Sequence, residues 1–319
     1  MKKTIYLSHL SLKEKLGQLL IVKPKGLSPK YIEELKVGGV FFDNFSSKEK
    51  YEKAINFYKA HSKIPLFVAT DMEGSWNPFR KFYHSPTFGE VKDDQEAYDL
   101  GIEHGKLLRE MGFNLNFSPV VELENNVWPG RNFEGDLKEV GEKISAYIQG
   151  LHKAGVFATA KHYPGGNLVK NPHLKKVRAK ISKEDLELFN LAISEDVDAI
   201  MVGHTIVSGE LNSHGKQSSR SREVLEPLRR RFKGLIITDA VTMLGLRLSY
   251  PFDFNKVYPD LIRAGNDIIL DTSRGSGFNA VKRRLRELEK QVKEGKLSEK
   301  VVDDRVKRIL EKKGYLVLD

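Results

Sequence analysis

Cysteine is absent from the 319 residues. That excludes a disulfide scaffold, a thiolate nucleophile and a Cys-ligated zinc site. Long apolar runs are missing too, and nothing approaches the roughly 18 consecutive apolar residues of a membrane-spanning helix. The opening MKKTIYLSHLSLKEKLGQLLIV is basic, but Lys13, Glu14 and Lys15 interrupt any signal-peptide apolar core, so a soluble cytoplasmic protein is expected. No Gly-rich dinucleotide turn of the GxGxxG kind follows an early strand. The nine histidines form no HExxH or comparable ligand spacing, so neither a metal nor a cofactor is expected.

What is present is a globular composition. Hydrophobic residues make up 40% and charged residues 30%, enough apolar chain for a large core and incompatible with disorder. The net charge is +10, with basic runs at Lys175-Lys176-Val177-Arg178, Arg229-Arg230-Arg231 and Arg283-Arg284-Leu285-Arg286. The last two lie in segments of helical apolar spacing, where such charges usually form a solvated face. No aromatic cluster interleaves with them to stack bases, so no nucleic-acid partner is expected.

Short β-branched or aromatic runs alternate with longer stretches of helical period. The candidate strands are 19–22, 39–43, 66–71, 114–121, 156–161, 199–203, 235–239 and 267–270. Helical stretches include 48–61, 95–111, 137–154 and 183–195. Several strands are apolar on both faces (GVFF, PLFVA, GLIIT, NDIIL), as a buried parallel sheet requires. About eight β–α repeats without a separate helical block predict an α/β chain of the (β/α)8 TIM-barrel kind. It is read as one domain over 1–319, with one or two closing helices between Gly277 and Lys313.

In parallel barrels the loops after the strands converge on one mouth, and chemistry gathers there. The predicted strand ends carry Asp71 (followed by Met72-Glu73-Gly74), Glu122, Lys161-His162, His204, Asp239 and Asp271. Single charges there could be ordinary helix caps. As a set they read as a polar site. Two connections exceed the usual 12–15 residues or so of a structureless loop, 72–92 and 163–180. The second is Gly-rich and carries His173, either as a mobile lid that brings a proton-transfer group or as a solvated surface His on a loop.

These residues fall in motifs that resemble glycoside hydrolase family 3, in particular its single-domain β-N-acetylglucosaminidases. LSLKEKLGQLLIV at 10–22 is similar to the family's opening L-x-x-K-I-G-Q-L, and ATDMEG at 69–74 to D-x-E-G-G. MGFNLNFSPVVEL at 111–123 resembles G-x-N-x-x-F-A-P-V-x-D, and GRNFEGD at 130–136 the R-x-F-G-x-D stretch. AKHYPGG at 160–166 matches K-H-F-P-G, MVGHTIV at 201–207 the A-H segment, and LIITDAVTMLGL at 235–246 the S-D-D/A-L-x-M motif. Seven matches in order cover most of the chain.

The resemblance implies a retaining exo-β-glycosidase acting on a terminal sugar of a carbohydrate or glycoconjugate. Asp239 takes the nucleophile's place and would form a covalent glycosyl-enzyme. Asp71, Arg131, Lys161 and His162 match residues that hold sugar hydroxyls, and Arg80 is a further candidate. Glu122, His204 and Met243 are assigned supporting positions. His173 matches the family's general acid/base. The Asp that orients that His two residues earlier is replaced here by Asn171, in the triplet Asn171-Pro172-His173. A neutral Asn can fix a tautomer but cannot stabilise an imidazolium. A weakened hydrolase, a phosphorylase-like variant and a non-catalytic sugar-binding barrel therefore remain as alternatives.

Overall fold

The computed structural model describes residues 2–124, 127–166, 175–273 and 277–319. Its centre is eight short parallel strands: β1 (Leu20–Val22), β2 (Gly39–Phe41), β3 (Phe67–Thr70), β4 (Leu115–Asn116), β5 (Phe157–Tyr163), β6 (Ala199–Val202), β7 (Leu235–Thr238) and β8 (Ile269–Asp271). They neighbour one another in the order β7-β6-β5-β4-β3-β2-β1-β8. The outer two of that series meet through the Thr238 N–H, which donates to Ile268 O at 2.9 Å, and a parallel bridge between Ile237 and Ile268. The sheet thus comes round into a nearly closed (β/α)8 barrel. β1, β3, β6 and β7 are buried at every residue, which is why they read as continuous apolar runs.

Helices cover the outside of the strands, among them Lys48–His61, Asp94–Met111, Leu137–Lys153 and Lys183–Ser194. Their starts are written locally. Asp136 and Glu139 form a reciprocal capping box, as do Ser182 and Asp185, satisfying backbone donors that the first turn leaves free. Helices Asp94–Met111 and Leu137–Lys153 cross where Gly101 faces Gly150. A Cβ on Gly101 would lie 2.5 Å from Tyr147 O, so only glycine permits this approach. The end of the chain makes two helices, Gly277–Lys293 and Glu299–Lys312.

Three features depart from the sequence expectation. The fourth strand, expected over 114–121, has regular ladder geometry only at Leu115–Asn116. Pro119 supplies no N–H, and the chain beyond it runs irregularly beside β5, rejoining through the Val120–Lys161 bridge. Two parallel strand pairs lie outside the barrel, Lys3–Tyr6 with Tyr315–Leu318 and Arg178–Ile181 with Ile206–Gly209. The basic runs are not wholly solvated. Arg229 turns in to Asp267, and buried Arg284 pairs with Asp271 at the end of β8. Tyr258 donates to the same Asp271 carboxylate at 2.7 Å, so this strand-end acid seals the barrel wall instead of facing the mouth.

Candidate active site

Two linked groups of side chains form at the carboxyl ends of the strands. The first is a charge cluster behind the mouth. Lys161, on β5 and only 1% exposed, donates to Asp71 Oδ1 at 2.5 Å and to Glu73. Arg131, from the loop after β4, grips Glu73 in a fork, Nε to Oε2 at 2.5 Å and the second arm to Oε1 at 3.0 Å. The other face of its guanidinium lies over the Trp128 ring, 4.8 Å from the centroid. Two cations and two carboxylates close on one another, which is the condition under which charges can be buried.

The turn that carries both carboxylates is clamped from β4. Asn116 Oδ1 accepts the Met72 N–H at 2.9 Å, and its amide donates to Met72 O at 3.0 Å. Burial opposes the charge on Glu73, but Arg131 and Lys161 outweigh it and hold the carboxyl down to about 2. Asp71 behaves oppositely. Burial and the negative charge of Glu73 raise its carboxyl against the pull of Lys161. Its side chain keeps 28% of its surface, so water softens that push and a ligand can still reach it. Arg131 is held above its usual range: burial works against the cation, and Glu73 more than offsets it.

The second group lines a pocket at the barrel mouth: Asp239, Glu122, His162, His204, Arg131 and Met243, with Trp128 completing one wall. Buried Glu122 accepts from His162 Nδ1 at 3.4 Å. Asp239 follows β7 directly. Its N–H donates to Val202 O at 2.9 Å, and its Oδ1 accepts from the Ala240 N–H at 2.6 Å. Met243, nearly buried, starts the short helix Leu244–Arg247 below the pocket.

Most of the sequence-derived candidates are therefore neighbours in space, shared between the pocket and the cluster behind it. Arg80 is not: it is exposed and does not line the pocket. His173 and Asn171 lie outside the described residues. Glu73, which joins Arg131 to Lys161, was absent from the sequence candidates although it belongs to the ATDMEG segment; Trp128 and Asn116 carried no signal. A larger open depression on the outer surface, between helices bearing Asp136, Glu142 and Glu187, contains no strand-end group. Among the described residues no group of three or more His, Asp or Glu is arranged to hold a metal, and no helix is long and apolar enough to cross a membrane.

Residues 11–312 match the profile described as the glycosyl hydrolase family 3 N terminal domain. The chain belongs to glycosyl hydrolase family 3. This family 3 domain is 32% identical over 267 residues to a beta-hexosaminidase of Tolumonas auensis, covering 77% of this chain and 78% of that relative. Its fold superposes on a family 3 beta-N-acetylglucosaminidase from a Paenibacillus species with TM-score 0.86 and 27% identity. That match covers 95% of this chain, which spans 62% of the Paenibacillus protein's length. A family 3 glycosyl hydrolase from Mycobacterium smegmatis superposes equally well, TM-score 0.86 and 26% identity, over 97% of this chain and 98% of its own. The family makes the protein a glycoside hydrolase. In this family 3 domain the cluster and the pocket bring together five of the segments that carried the resemblance, at 69–74, 111–123, 130–136, 160–166 and 201–207, with a sixth at 235–246 supplying Asp239.

Proposed function

We propose that the protein is a retaining exo-β-N-acetylglucosaminidase in which Asp239 is the nucleophile. The observation that carries this reading is the placement of Asp239 at the end of β7, in a pocket shared with Arg131, His162 and His204. In the first step a carboxylate oxygen of Asp239 attacks the anomeric carbon while the bond to the leaving oxygen breaks. A proton delivered to that oxygen releases the alcohol. In the second step a deprotonated water attacks the same carbon, frees Asp239 and gives net retention. His173 is the assigned proton carrier in both steps.

Asp71, Lys161, Arg131 and His162 are assigned to the sugar hydroxyls. The charge cluster suits that task because its geometry is set before substrate arrives, so little ordering is left to be done on binding. Glu73 does not compete for the sugar, since Lys161 and Arg131 already occupy its oxygens. We also place the protein in the cytoplasm, and neither step calls for a cofactor.

A second reading follows from Asn171, where a carboxylate partner for His173 would be expected. A neutral group there lowers repulsion of an anionic acceptor, so inorganic phosphate could replace water in the second step and leave as the sugar phosphate. Turnover of nitrophenyl N-acetylglucosaminide with and without phosphate separates the two. The hydrolase reading expects equal rates and free sugar as product. A phosphate-dependent rate with sugar phosphate as product would replace it, and no turnover on any aryl sugar would leave only binding.

A further inference from the structure

His204 packs against the Asp239 turn from the neighbouring strand, and its hydrogen bonds have a defined direction. His204 follows β6, is 3% exposed and lines the pocket. Its Nε2 lies 3.2 Å from Ala240 O, and its Nδ1 lies 2.8 Å from Ser219 Oγ. A carbonyl oxygen only accepts, so Nε2 carries the proton. Nδ1 is then the acceptor, and Ser219 donates its hydroxyl. Burial holds His204 below the ordinary histidine range, outweighing the attraction of Asp239, while His162 pushes the same way as burial. The ring is therefore neutral near pH 7, and both of its nitrogens are used.

Ser219 is fixed in turn. Its N–H donates to Gly203 O at 3.2 Å, and its carbonyl accepts from the buried Asn266 amide at 2.8 Å. At the other end, Ala240 is the residue whose N–H holds Asp239 Oδ1 at 2.6 Å. A continuous chain runs from Asn266 through Ser219 and His204 to Ala240 and the carboxylate.

We infer that His204 is a positioning residue which, through its Nε2–H, holds the Ala240 turn so that Asp239 faces the anomeric carbon. This rests on Asp239 being the nucleophile. His204 touches neither the sugar nor the reacting atoms in this role. Its effect falls on the rate of attack by Asp239 and leaves the grip on the sugar, made by other residues, unchanged.

The test exploits the two nitrogens. The amide nitrogen of glutamine can take the place of Nε2 and donate to Ala240 O. The shorter asparagine reaches only the position of Nδ1 and cannot. Wild type, His204→Gln and His204→Asn are compared for kcat, KM and thermal midpoint with nitrophenyl N-acetylglucosaminide. The rate of covalent labelling of Asp239 by a slow fluorosugar is followed by mass spectrometry. Expected are a kcat and labelling rate about tenfold lower in His204→Asn with KM unchanged, and recovery to within about threefold in His204→Gln. Equal rates in the two variants overturn the inference, as does a loss that follows the thermal midpoint alone or appears only in KM. Absence of label in the wild type refutes the Asp239 reading itself and the inference with it. Label in the wild type with indifferent variants refutes only the inference.

Discussion

Glu73→Gln keeps the shape of the charge cluster and removes one negative charge from between Arg131 and Lys161. Glu73 is almost fully buried, so its neighbours have no water to turn to. The fall of its carboxyl from the ordinary 4.5 to about 2 corresponds, at about 1.4 kcal/mol per unit, to about 3 kcal/mol of favourable interaction with the charged form. Breaking a buried ion pair from one side typically costs about 3–5 kcal/mol, and the two magnitudes agree. The variant is therefore expected to lose about 3 kcal/mol at pH 7, read as a lower urea midpoint at unchanged slope. Because the folded-state value is depressed, this stability is present above pH 4.5 and is lost as pH falls toward 2. The acid-dependent limb of the wild type should accordingly be shallower in the variant. Glu73→Gln leaves two cations against the single carboxylate of Asp71, so adding Lys161→Met removes the surplus positive charge and should recover part of the loss. A single variant within about 1 kcal/mol of wild type, or a double variant with additive losses, would refute the argument that the cluster is a mutually dependent unit.

Other consequences follow from groups outside the pocket and from the fork itself. His104 is enclosed between Ser85 Oγ and Tyr147 OH, each 2.8 Å away, and burial pushes it down to about 3. Its contribution is present above the unfolded value of about 6.5 and is lost as pH falls toward 3, so the wild type should be about 3 kcal/mol less stable at pH 4 than at pH 7 from this group. Urea midpoints of His104→Gln across that range should be flatter, and parallel curves would contradict the assignment. Arg131→Lys cannot reproduce the two-armed contact with Glu73 or the stacking on Trp128. It should raise KM for an N-acetylglucosaminide about tenfold or more, and an unchanged KM would remove Arg131 from the sugar-binding set.

The barrel was legible because parallel strands covered on both faces must be apolar throughout, and such runs recur in this chain at barrel intervals. The helices read over 137–154 and 183–195 start where expected, and the structure adds the local reason, the capping pairs of Asp136 with Glu139 and Ser182 with Asp185. The eighth strand end misled: Asp271 looked like a mouth residue, but Tyr258 and Arg284, distant in register, claim it. The paired strands 178–181 and 206–209 were hidden because they make a small outer ribbon, and only Val177, Ile181 and the Ile206–Val207 pair bury apolar surface. Within the site, Asp71, Lys161 and Asp239 were recognisable as polar groups ending apolar strands. Glu73, Trp128 and Asn116 act through partners far along the chain, and no local pattern names a partner. Arg80 shows the converse limit: a residue type suited to a sugar stands exposed and does not line the pocket.

The central claim is that Asp239 becomes covalently bonded to the sugar during turnover. Incubation with an activated 2-acetamido sugar carrying a ring fluorine that slows release, followed by proteolysis and mass spectrometry, tests it directly. One added glycosyl group on the peptide containing Asp239, absent in Asp239→Asn and chased off by water, is the predicted result. A turning-over enzyme with no adduct there, or with the adduct on Glu122 or another carboxylate, would contradict the account.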